Sequence, residues 1–395
     1  MIKNNTFFAL FISATISLLT YISIQNLYDG DITKYKKVYN FFQLDKESQN
    51  VFFNKGHAKD VWGTKTKTLR QYYSKYLTST EYLHYFAYYV FSIFVSYEIY
   101  LCIINFLFVF LLFKFLASYN VNFFIILTLI FTNYYLIQFY LSLERLKIAF
   151  ICLLFFSLFA INSKKHKSFY ISGLLFASLA HIQMILIFIA SLSFLIFREI
   201  FKFFTSFKIN IYLLLFFISI TFFLFLYLPQ ITHKINSIWA KHSLSLSAYA
   251  SALIKFIILY ILTLFYSKKE SYLFITSFFV SMFVFSLLIG SNRLIIICFF
   301  FFLIFGLKQN GGLNFGVILL CIYFSIKSYG LFYSIYYCNS LNYEKDACQV
   351  MYKDPYTRLY LENPNLWHNE VISPSVLGYE FIIESKYYKI YKIDE

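Results

Sequence analysis

The chain has 395 residues, of which 60% are hydrophobic and 13% are charged, and its formal net charge is +15. Soluble globular proteins contain about 45–50% apolar and about 25% charged residues, so this composition excludes an ordinary soluble domain. Most of the positive charge lies in loops beside apolar segments, and we therefore attribute it to membrane topology rather than to nucleic-acid binding. We expect a lipid bilayer, and no nucleic acid, among the partners.

Long apolar runs recur along the chain. A run of about 18 residues crosses the ~30 Å hydrocarbon core as a helix, and these runs lack the alternation of a membrane-spanning β-strand. The first run follows Lys3, but no small-residue cleavage site comes after it, so we interpret it as a retained helix rather than a signal peptide. The sequence therefore predicts an all-α polytopic integral membrane protein. Its predicted apolar segments are 7–24, 85–113, 121–139, 148–161, 169–197, 210–228, 250–266, 271–289, 294–307 and 313–333.

Segment 169–197 is long for one span and short for two, and His181 and Gln183 interrupt it. Two arrangements are open: a single helix, or a hairpin of two short helices that turns near His181. The hairpin raises the prediction to about 11 transmembrane helices. Each arm would be roughly 20 Å long at 1.5 Å per residue, so the turn would lie within the bilayer, where polar groups must be buried in protein or line a wet cavity.

Basic residues in the N-terminus and the short loops distinguish the two arrangements. With a cytoplasmic N-terminus, the single helix divides these residues evenly between the two sides, whereas the hairpin concentrates them inside. The positive-inside rule therefore favours the hairpin. The inside residues are then Lys3, Lys114, Lys164, Lys165, Lys167, Arg198, Lys202, Lys208, Lys268, Lys269 and Lys308. The outside residues are Arg145, Lys147, Lys234, Lys241 and Arg293.

Two longer polar segments follow from this arrangement, and it places both on the outer side. One is an extended first loop, residues 25–84, and the other is a polar C-terminal tail, residues 334–395, so residues 1–333 form the transmembrane domain. Alternating residues at 380–393 predict a strand or a hairpin within the tail. Cys338 and Cys348 would pair in an oxidising compartment, and two free thiols are the alternative.

Two arginines stand out, because Arg145 and Arg293 lie on the side that the positive-inside rule disfavours. An arginine at a helix end often anchors the helix at the interface, but a guanidinium also binds phosphate in a bidentate manner. We expect a lipid phosphate or pyrophosphate to be the anionic partner, with Lys147 and Asn292 adding contacts. We interpret Glu144 as an ion partner of Arg145.

A general base and the absence of cofactor motifs complete the candidate site. His181, at the predicted break, is the first candidate for an acid or base, and Asp31 is the second, although Asp31 also fits an Asx turn with Gly30. The chain has no HExxH, Walker or Cys/His cluster, so we expect no metal and no cofactor. The abundance of Tyr and Phe we attribute to nucleotide bias rather than to a binding platform.

Four sequence elements, in this order and spacing, carry a resemblance to a known family. Residues 1–310 resemble the O-antigen and capsular polysaccharide polymerases (Wzy) of the EpsG-like type. The elements are a D…Y…F pattern at Asp31, Tyr35 and 39–42, an R-x-x-x-A pattern at Arg145–Ala149, the stretch ASLAH that ends at His181, and the pair Asn292–Arg293.

The resemblance implies a glycosyltransferase in the bacterial inner membrane, with its active site facing the periplasm. Such an enzyme polymerises undecaprenyl-pyrophosphate-linked repeat units into O-antigen, capsule or exopolysaccharide, alongside a flippase and a chain-length regulator. Arg145 and Arg293 would then bind the pyrophosphate, His181 or Asp31 would act as the base, and the tail would be periplasmic. Two alternatives stay open: an O-antigen ligase or other lipid-linked glycosyltransferase, and a glycan transporter in which Lys255 and Lys327 mark a path.

Overall fold

The structure is a computed structural model, and it describes part of the chain. The described residues are 6–26, 35, 39, 42–43, 57–60, 66–68, 82–141, 143–162, 166–181, 183–187, 189–190, 246–289, 293–337, 383–384 and 388–391. The chain divides into two compact units. The first comprises Met1–Ser118, Phe123–Ile182 and Leu320–Glu395, and the second comprises Tyr119–Asn122 and Gln183–Leu319.

Helices make up most of the described residues, as the apolar runs predict. Within those residues the main helices are α1 (Thr6–Asn26), α2 (Tyr82–Ser92), α3 (Tyr97–Ser118), α4 (Phe123–Thr132), α5 (Tyr134–Leu141), α6 (Glu144–Asn162), α7 (His166–Ala180), α8 (Leu246–Phe265), α9 (Tyr272–Ile289), α10 (Arg293–Leu307) and α11 (Phe315–Tyr337). Short 3₁₀ turns, Lys269–Ser271 and Asn310–Gly312, precede α9 and α11.

Membrane crossing is supported by the length and composition of several helices. In the described part of the chain, Tyr97–Ser118 and Asn310–Tyr329 are long and apolar enough to cross a bilayer, and the bent pair α4–α5 makes a third span if it counts as one. Shorter apolar helices add Thr6–Ile22, Ser168–Ala180, Leu253–Phe265 and Leu294–Leu307. Large apolar side chains such as Phe7, Phe124 and Phe265 are about three-quarters exposed, as expected of surfaces that face lipid. The chain is therefore a helical membrane protein.

The first unit is built around α3, which packs against α1 on one side and α6 on the other. Polar bonds accompany the apolar packing: the Ser17 hydroxyl donates to the Cys102 carbonyl over 2.5 Å, and Asn105 Nδ2 donates to Thr20 Oγ1 and to the Tyr140 carbonyl over 3.0 and 2.9 Å. Without water in the hydrocarbon core, such bonds satisfy polar groups that would otherwise be costly to bury.

Predicted segment 121–139 consists of two helices with a sharp bend between them. Helices α4 and α5 meet at Asn133 with a bend of 54°, and Asn133 Oδ1 accepts from the Tyr135 and Leu136 amides to begin α5. The carbonyl of Thr132, released by the break, accepts the Ser328 hydroxyl of α11 over 2.6 Å. A neighbouring helix thus supplies the hydrogen bond that a broken helix needs within a membrane.

Predicted segment 85–113 also consists of two helices. Side chains of the first loop form hydrogen bonds with backbone carbonyls where these helices separate. The Val95 carbonyl, in the turn between α2 and α3, accepts the Tyr39 hydroxyl over 3.0 Å and Gln43 Nε2 over 3.2 Å. Gln43 also reaches the Ser92 carbonyl over 3.4 Å. Side chains from a distant loop therefore stabilise a break that hydropathy does not indicate.

Helices α6 and α7 form the most extensive helix pair in the first unit, and Gly173 allows them to approach closely. A Cβ atom at Gly173 would lie 2.9 Å from Phe156 Cβ, closer than side chains tolerate. Beside it the Phe156 and Phe176 rings stack with centroids 5.3 Å apart. The small residue thus sets the distance between the two helices.

Substituting Gly173→Val should therefore destabilise the protein by about 1–3 kcal/mol, the usual cost of overpacking. The thermal unfolding midpoint in detergent measures this effect. Leu175→Val, at a position on the same helix that is 43% exposed, provides the control and should change the midpoint little. Equal midpoints for Gly173→Val and the control would contradict the close approach.

The second unit contains α8, α9 and α10, with α8 packed against both of the others. The Phe278 and Phe301 rings stack with centroids 3.9 Å apart. Near the start of α11, the Tyr266 hydroxyl accepts the Gly316 amide over 2.7 Å, and Asn314 Nδ2 donates to the Gly306 carbonyl over 2.6 Å.

A small sheet joins the first loop to the C-terminal tail within the first unit. Strands β1 (His57–Asp60), β2 (Thr66–Thr68), β3 (Ile383–Glu384) and β4 (Tyr388–Tyr391) lie in the order β2-β1-β4-β3, and each neighbouring pair is antiparallel. The alternation at 380–393 predicts a strand or a hairpin, and the antiparallel β3–β4 pair is the hairpin. The pairing of β1 with β4, in the register Ala58 opposite Ile390, has no signal in the sequence.

The predicted break at His181 is present: α7 ends at Ala180, His181 is not helical, and helical residues resume at Gln183. Several other sequence predictions lie outside the described residues, including the apolar segment 210–228 and the cysteines Cys338 and Cys348.

Candidate functional site

Arg145 is the second residue of α6, at the end where this helix follows α5. Its Nε donates to the Tyr35 hydroxyl over 2.8 Å, and its guanidinium carbon lies 5.6 Å from the centroid of the Tyr35 ring. Tyr35 belongs to the first loop, 110 residues earlier in the chain. Tyr35 is buried whereas Arg145 is half-buried, so the contact holds one edge of the guanidinium and leaves the side chain partly accessible.

Glu144, the first residue of α6, has a buried carboxylate that accepts two tyrosine hydroxyls. Tyr88 of α2 donates to Oε2 over 2.5 Å, and Tyr97 of α3 donates to Oε1. Hydrogen bonds to a charged group are roughly twice as strong as neutral ones. We refer to Glu144, Tyr88 and Tyr97 as the Glu144 cluster; it ties the start of α6 to two other helices.

Aromatic rings surround the Glu144 cluster. Tyr39 lies 5.4 Å from Tyr88, 5.6 Å from Tyr97 and 5.2 Å from Tyr100, measured between ring centroids. His84 is fully buried, 4.2 Å from Tyr88 and 5.5 Å from Tyr35. Burial, with a smaller contribution from the Glu98 carboxylate, raises the pKa of Tyr39, so its hydroxyl stays protonated and able to donate. These tyrosines have specific partners, which nucleotide bias alone does not explain.

Lys147 lies one turn after Glu144 on α6 and is fully buried. Its Nζ donates to the Tyr140 carbonyl over 3.4 Å, and its charge acts on the Glu144 carboxylate. The predicted phosphate contact of Lys147 stays a prediction, and in this structure its ammonium faces the protein interior.

The backbone before α6 is constrained. Leu143 has φ = +56°, in the left-handed region, and its carbonyl accepts the Lys147 amide over 2.9 Å as the first hydrogen bond of α6. A non-glycine residue in this region costs about 1–2 kcal/mol. Such strain persists where surrounding contacts determine the conformation, and here it directly precedes Glu144 and Arg145.

His181 is buried, with 3% of its surface exposed, and its amide donates to the Ala177 carbonyl over 2.9 Å at the end of α7. Helix α7 packs against α2, which carries His84 and Tyr88. His181 therefore belongs to the same unit as Arg145, on a helix that contacts the surroundings of the Glu144 cluster.

The other predicted site residues, Arg293, Asn292 and Asp31, have side chains outside the described part of the structure. Arg293 is the first residue of α10. Lys327, a candidate for a transport path, lies half-buried on α11 with its Nζ 4.0 Å from the Tyr134 ring centroid, and Lys255 is half-buried on α8. Among the residues that the structure describes, no group of three or more His, Cys, Asp and Glu could hold a metal ion.

Sequence reasoning missed His84, Tyr88 and Tyr97. It interpreted Glu144 as an ion partner of Arg145, and the Arg145 charge does act on the Glu144 carboxylate, whose hydrogen bonds come from the two tyrosines. A signal was available for Glu144, because a carboxylate between apolar segments needs hydrogen-bond donors. The identity of those donors was not available, because Tyr88 and Tyr97 are two of 37 tyrosines.

Comparison with known proteins found no match: no family model, no curated protein and no solved structure matches the chain.

Proposed function

We propose that the protein is a polysaccharide polymerase that joins repeat units carried on undecaprenyl pyrophosphate. The contact between Tyr35 and Arg145 carries this proposal. These residues belong to two separate elements of the resemblance to the Wzy polymerases, 110 residues apart, and they meet over 2.8 Å. A chance match of two short patterns gives no reason for such a contact.

The proposed reaction needs no nucleotide, because its donor is already activated. The acceptor hydroxyl oxygen bonds to the anomeric carbon of the donor sugar while the bond from that carbon to the pyrophosphate oxygen breaks. The lipid pyrophosphate leaves with the electron pair, and Arg145 stabilises its developing negative charge. Arg293 stays a second phosphate contact predicted from the sequence. The acceptor proton passes to a base, for which His181 is the first candidate and Asp31 the second.

We further propose that the first loop and the C-terminal tail lie together in the periplasm, with the inner membrane crossed eleven times. The pairing of β1 with β4 supports this, because hydrogen-bonded strands must lie on the same side of a bilayer. An even number of membrane crossings must then separate the first loop from the tail. In the hairpin arrangement 11 − 1 = 10 crossings follow α1, which is even. If segment 169–197 were a single helix, 10 − 1 = 9 crossings would follow α1, which is odd.

A cysteine pair tests this topology. In a variant without the six native cysteines, Ala58→Cys combined with Ile390→Cys should form a disulfide in intact cells, because residues opposite each other in an antiparallel pair are within bonding distance. Gel mobility with and without reductant measures it. Ala58→Cys with Tyr388→Cys, which is out of register, should form much less. Equal reactivity of both pairs, or none in either, would contradict the arrangement.

Chain length in cells tests the activity. We expect Arg145→Ala, Arg293→Ala and His181→Ala to remove the polysaccharide ladder on gels, whereas Lys308→Ala, a basic residue on the proposed inner side, should retain it. Full ladders from all three variants at normal expression would refute the proposal. Deletion of the gene separates the alternatives: single repeat units remain attached after loss of a polymerase, and none remain after loss of a ligase.

A further inference from the structure

We propose that the Glu144 cluster is a positioning device for Arg145: Glu144, Tyr88 and Tyr97 do not touch the substrate but determine where the guanidinium meets the pyrophosphate. This inference rests on the proposed function, since it assigns a role to residues behind the same site. Nothing in the family resemblance points to these three residues, so the inference depends on the contacts alone.

The first observation is that the two oxygens of one carboxylate are held from two directions. Tyr88 on α2 bonds one oxygen and Tyr97 on α3 bonds the other, while Glu144 is 1% exposed. One hydrogen bond would leave the carboxylate free to rotate, whereas two donors on separate helices fix both its position and its plane. The first residue of α6 is therefore located relative to α2 and α3 before any substrate binds.

The second observation is that Arg145 adjoins this fixed residue and follows a constrained turn. Leu143, with φ = +56°, turns the chain between α5 and α6, and Glu144 comes directly after it. Helical geometry then determines the direction in which Arg145 leaves the backbone. If Glu144 lost its hydrogen-bond partners, the backbone at Leu143 would relax, because its strained conformation would no longer be held. Arg145 would move with it.

The third observation is a separate chain of contacts from the Glu144 cluster to the guanidinium. The His84 ring lies 4.2 Å from Tyr88 and 5.5 Å from Tyr35, and the Tyr35 hydroxyl accepts Arg145 Nε over 2.8 Å. The backbone of α6 and this ring contact thus hold the same side chain from two sides. Two independent supports are expected for a guanidinium that stabilises a developing charge. A displacement of a catalytic group by about 1 Å can lower the reaction rate by about 10²-fold.

Pyrophosphate binding by the purified full-length protein in lipid nanodiscs tests the inference, with inorganic pyrophosphate as the probe and titration calorimetry as the measurement. Glu144→Gln keeps the shape but turns an amide N–H₂ toward one tyrosine, and Tyr88→Phe and Tyr97→Phe each remove one donor. We expect each of these variants to bind about tenfold more weakly than the wild type. Tyr100→Phe is the matched control, because the Tyr100 hydroxyl is buried in the same group of rings without a hydrogen-bond partner among the described residues; it should bind as the wild type does.

A double-mutant cycle separates positioning from a merely structural role. If the cluster acts through Arg145, Glu144→Gln should weaken binding in the wild-type background and have no further effect in Arg145→Ala. Equal effects in the two backgrounds would overturn the inference, as would wild-type affinity in Glu144→Gln, Tyr88→Phe and Tyr97→Phe. Unchanged binding in Arg145→Ala would instead refute the proposed function, so the two failures are distinguishable. Thermal unfolding of every variant shows whether it folds. If Glu144→Gln does not fold, Tyr88→Phe and Tyr97→Phe, which each remove one hydroxyl, still test the inference.

Discussion

Arg145→Ala is expected to lower the rate of glycan transfer by about 10²–10³-fold, the usual effect of removing one group that stabilises a developing negative charge. The loss should appear in kcat more than in KM, because the charge on the pyrophosphate grows as the sugar–oxygen bond breaks. The measurement is transfer by the purified protein in nanodiscs, with lipid-linked repeat units extracted from cells that lack the gene.

Two variants define what Arg145 contributes. Arg145→Lys keeps the charge but loses the planar fork and the Nε bond to Tyr35, so its rate should fall between those of the wild type and Arg145→Ala. Tyr35→Phe removes the hydroxyl that accepts this bond and should cause a smaller loss than either. A rate for Arg145→Ala within a factor of two of the wild type, with an unchanged unfolding midpoint, would exclude Arg145 from the pyrophosphate site.

Glu144→Ala is expected to have the largest effect on stability of any single substitution near the site, about 3–5 kcal/mol, as for other buried charges that lose their partner. The substitution leaves two buried tyrosine hydroxyls without their acceptor, and it removes the carboxylate charge that acts on the fully buried Lys147. Loss of folded protein on size-exclusion chromatography and a lower unfolding midpoint in detergent would both report this effect.

A partner substitution tests the charge argument behind this prediction. Combining Glu144→Ala with Lys147→Met removes the unpaired ammonium as well, and should recover part of the lost stability because no charge then stays buried alone. Tyr100→Phe is again the control, since it removes a hydroxyl that has no hydrogen-bond partner within the described part of the chain, and it should be neutral or slightly stabilising. A Glu144→Ala protein as stable as the control would show that the carboxylate is not a structural centre.

Local properties of the sequence predicted much of the helical framework. Apolar runs located helices such as α1, α9 and α10 to within a few residues, because the bilayer requires a continuous apolar surface of known length. The break at His181 was also predictable, since polar residues interrupt an apolar run there. By contrast, the separations of α2 from α3 and of α4 from α5 were not predictable, because Tyr39 and Ser328 stabilise them from distant parts of the chain.

The candidate site shows the same division. Arg145 was identifiable from sequence because the charge count predicts it on the side of the membrane that the positive-inside rule disfavours, and this count depends only on composition and order. Its contact with Tyr35, and the bonds of Glu144 to Tyr88 and Tyr97, depend on pairs separated by 47 to 110 residues. Nothing in the sequence around a single tyrosine, in a chain with 37 of them, indicates which distant residue it bonds.

The sequence by itself thus determined that the chain is a helical membrane protein and where most of its apolar segments lie, and it identified Arg145 as a candidate for phosphate binding. Only the tertiary structure decided which residues hold that arginine, and that the first loop and the tail share a sheet. The physical reason is that insertion of an apolar run into a bilayer depends on the length and composition of that run, and not on which distant residues it contacts. Hydrogen bonds between helices and strands require specific atoms to meet within about 3 Å, and only the packed fold brings them together.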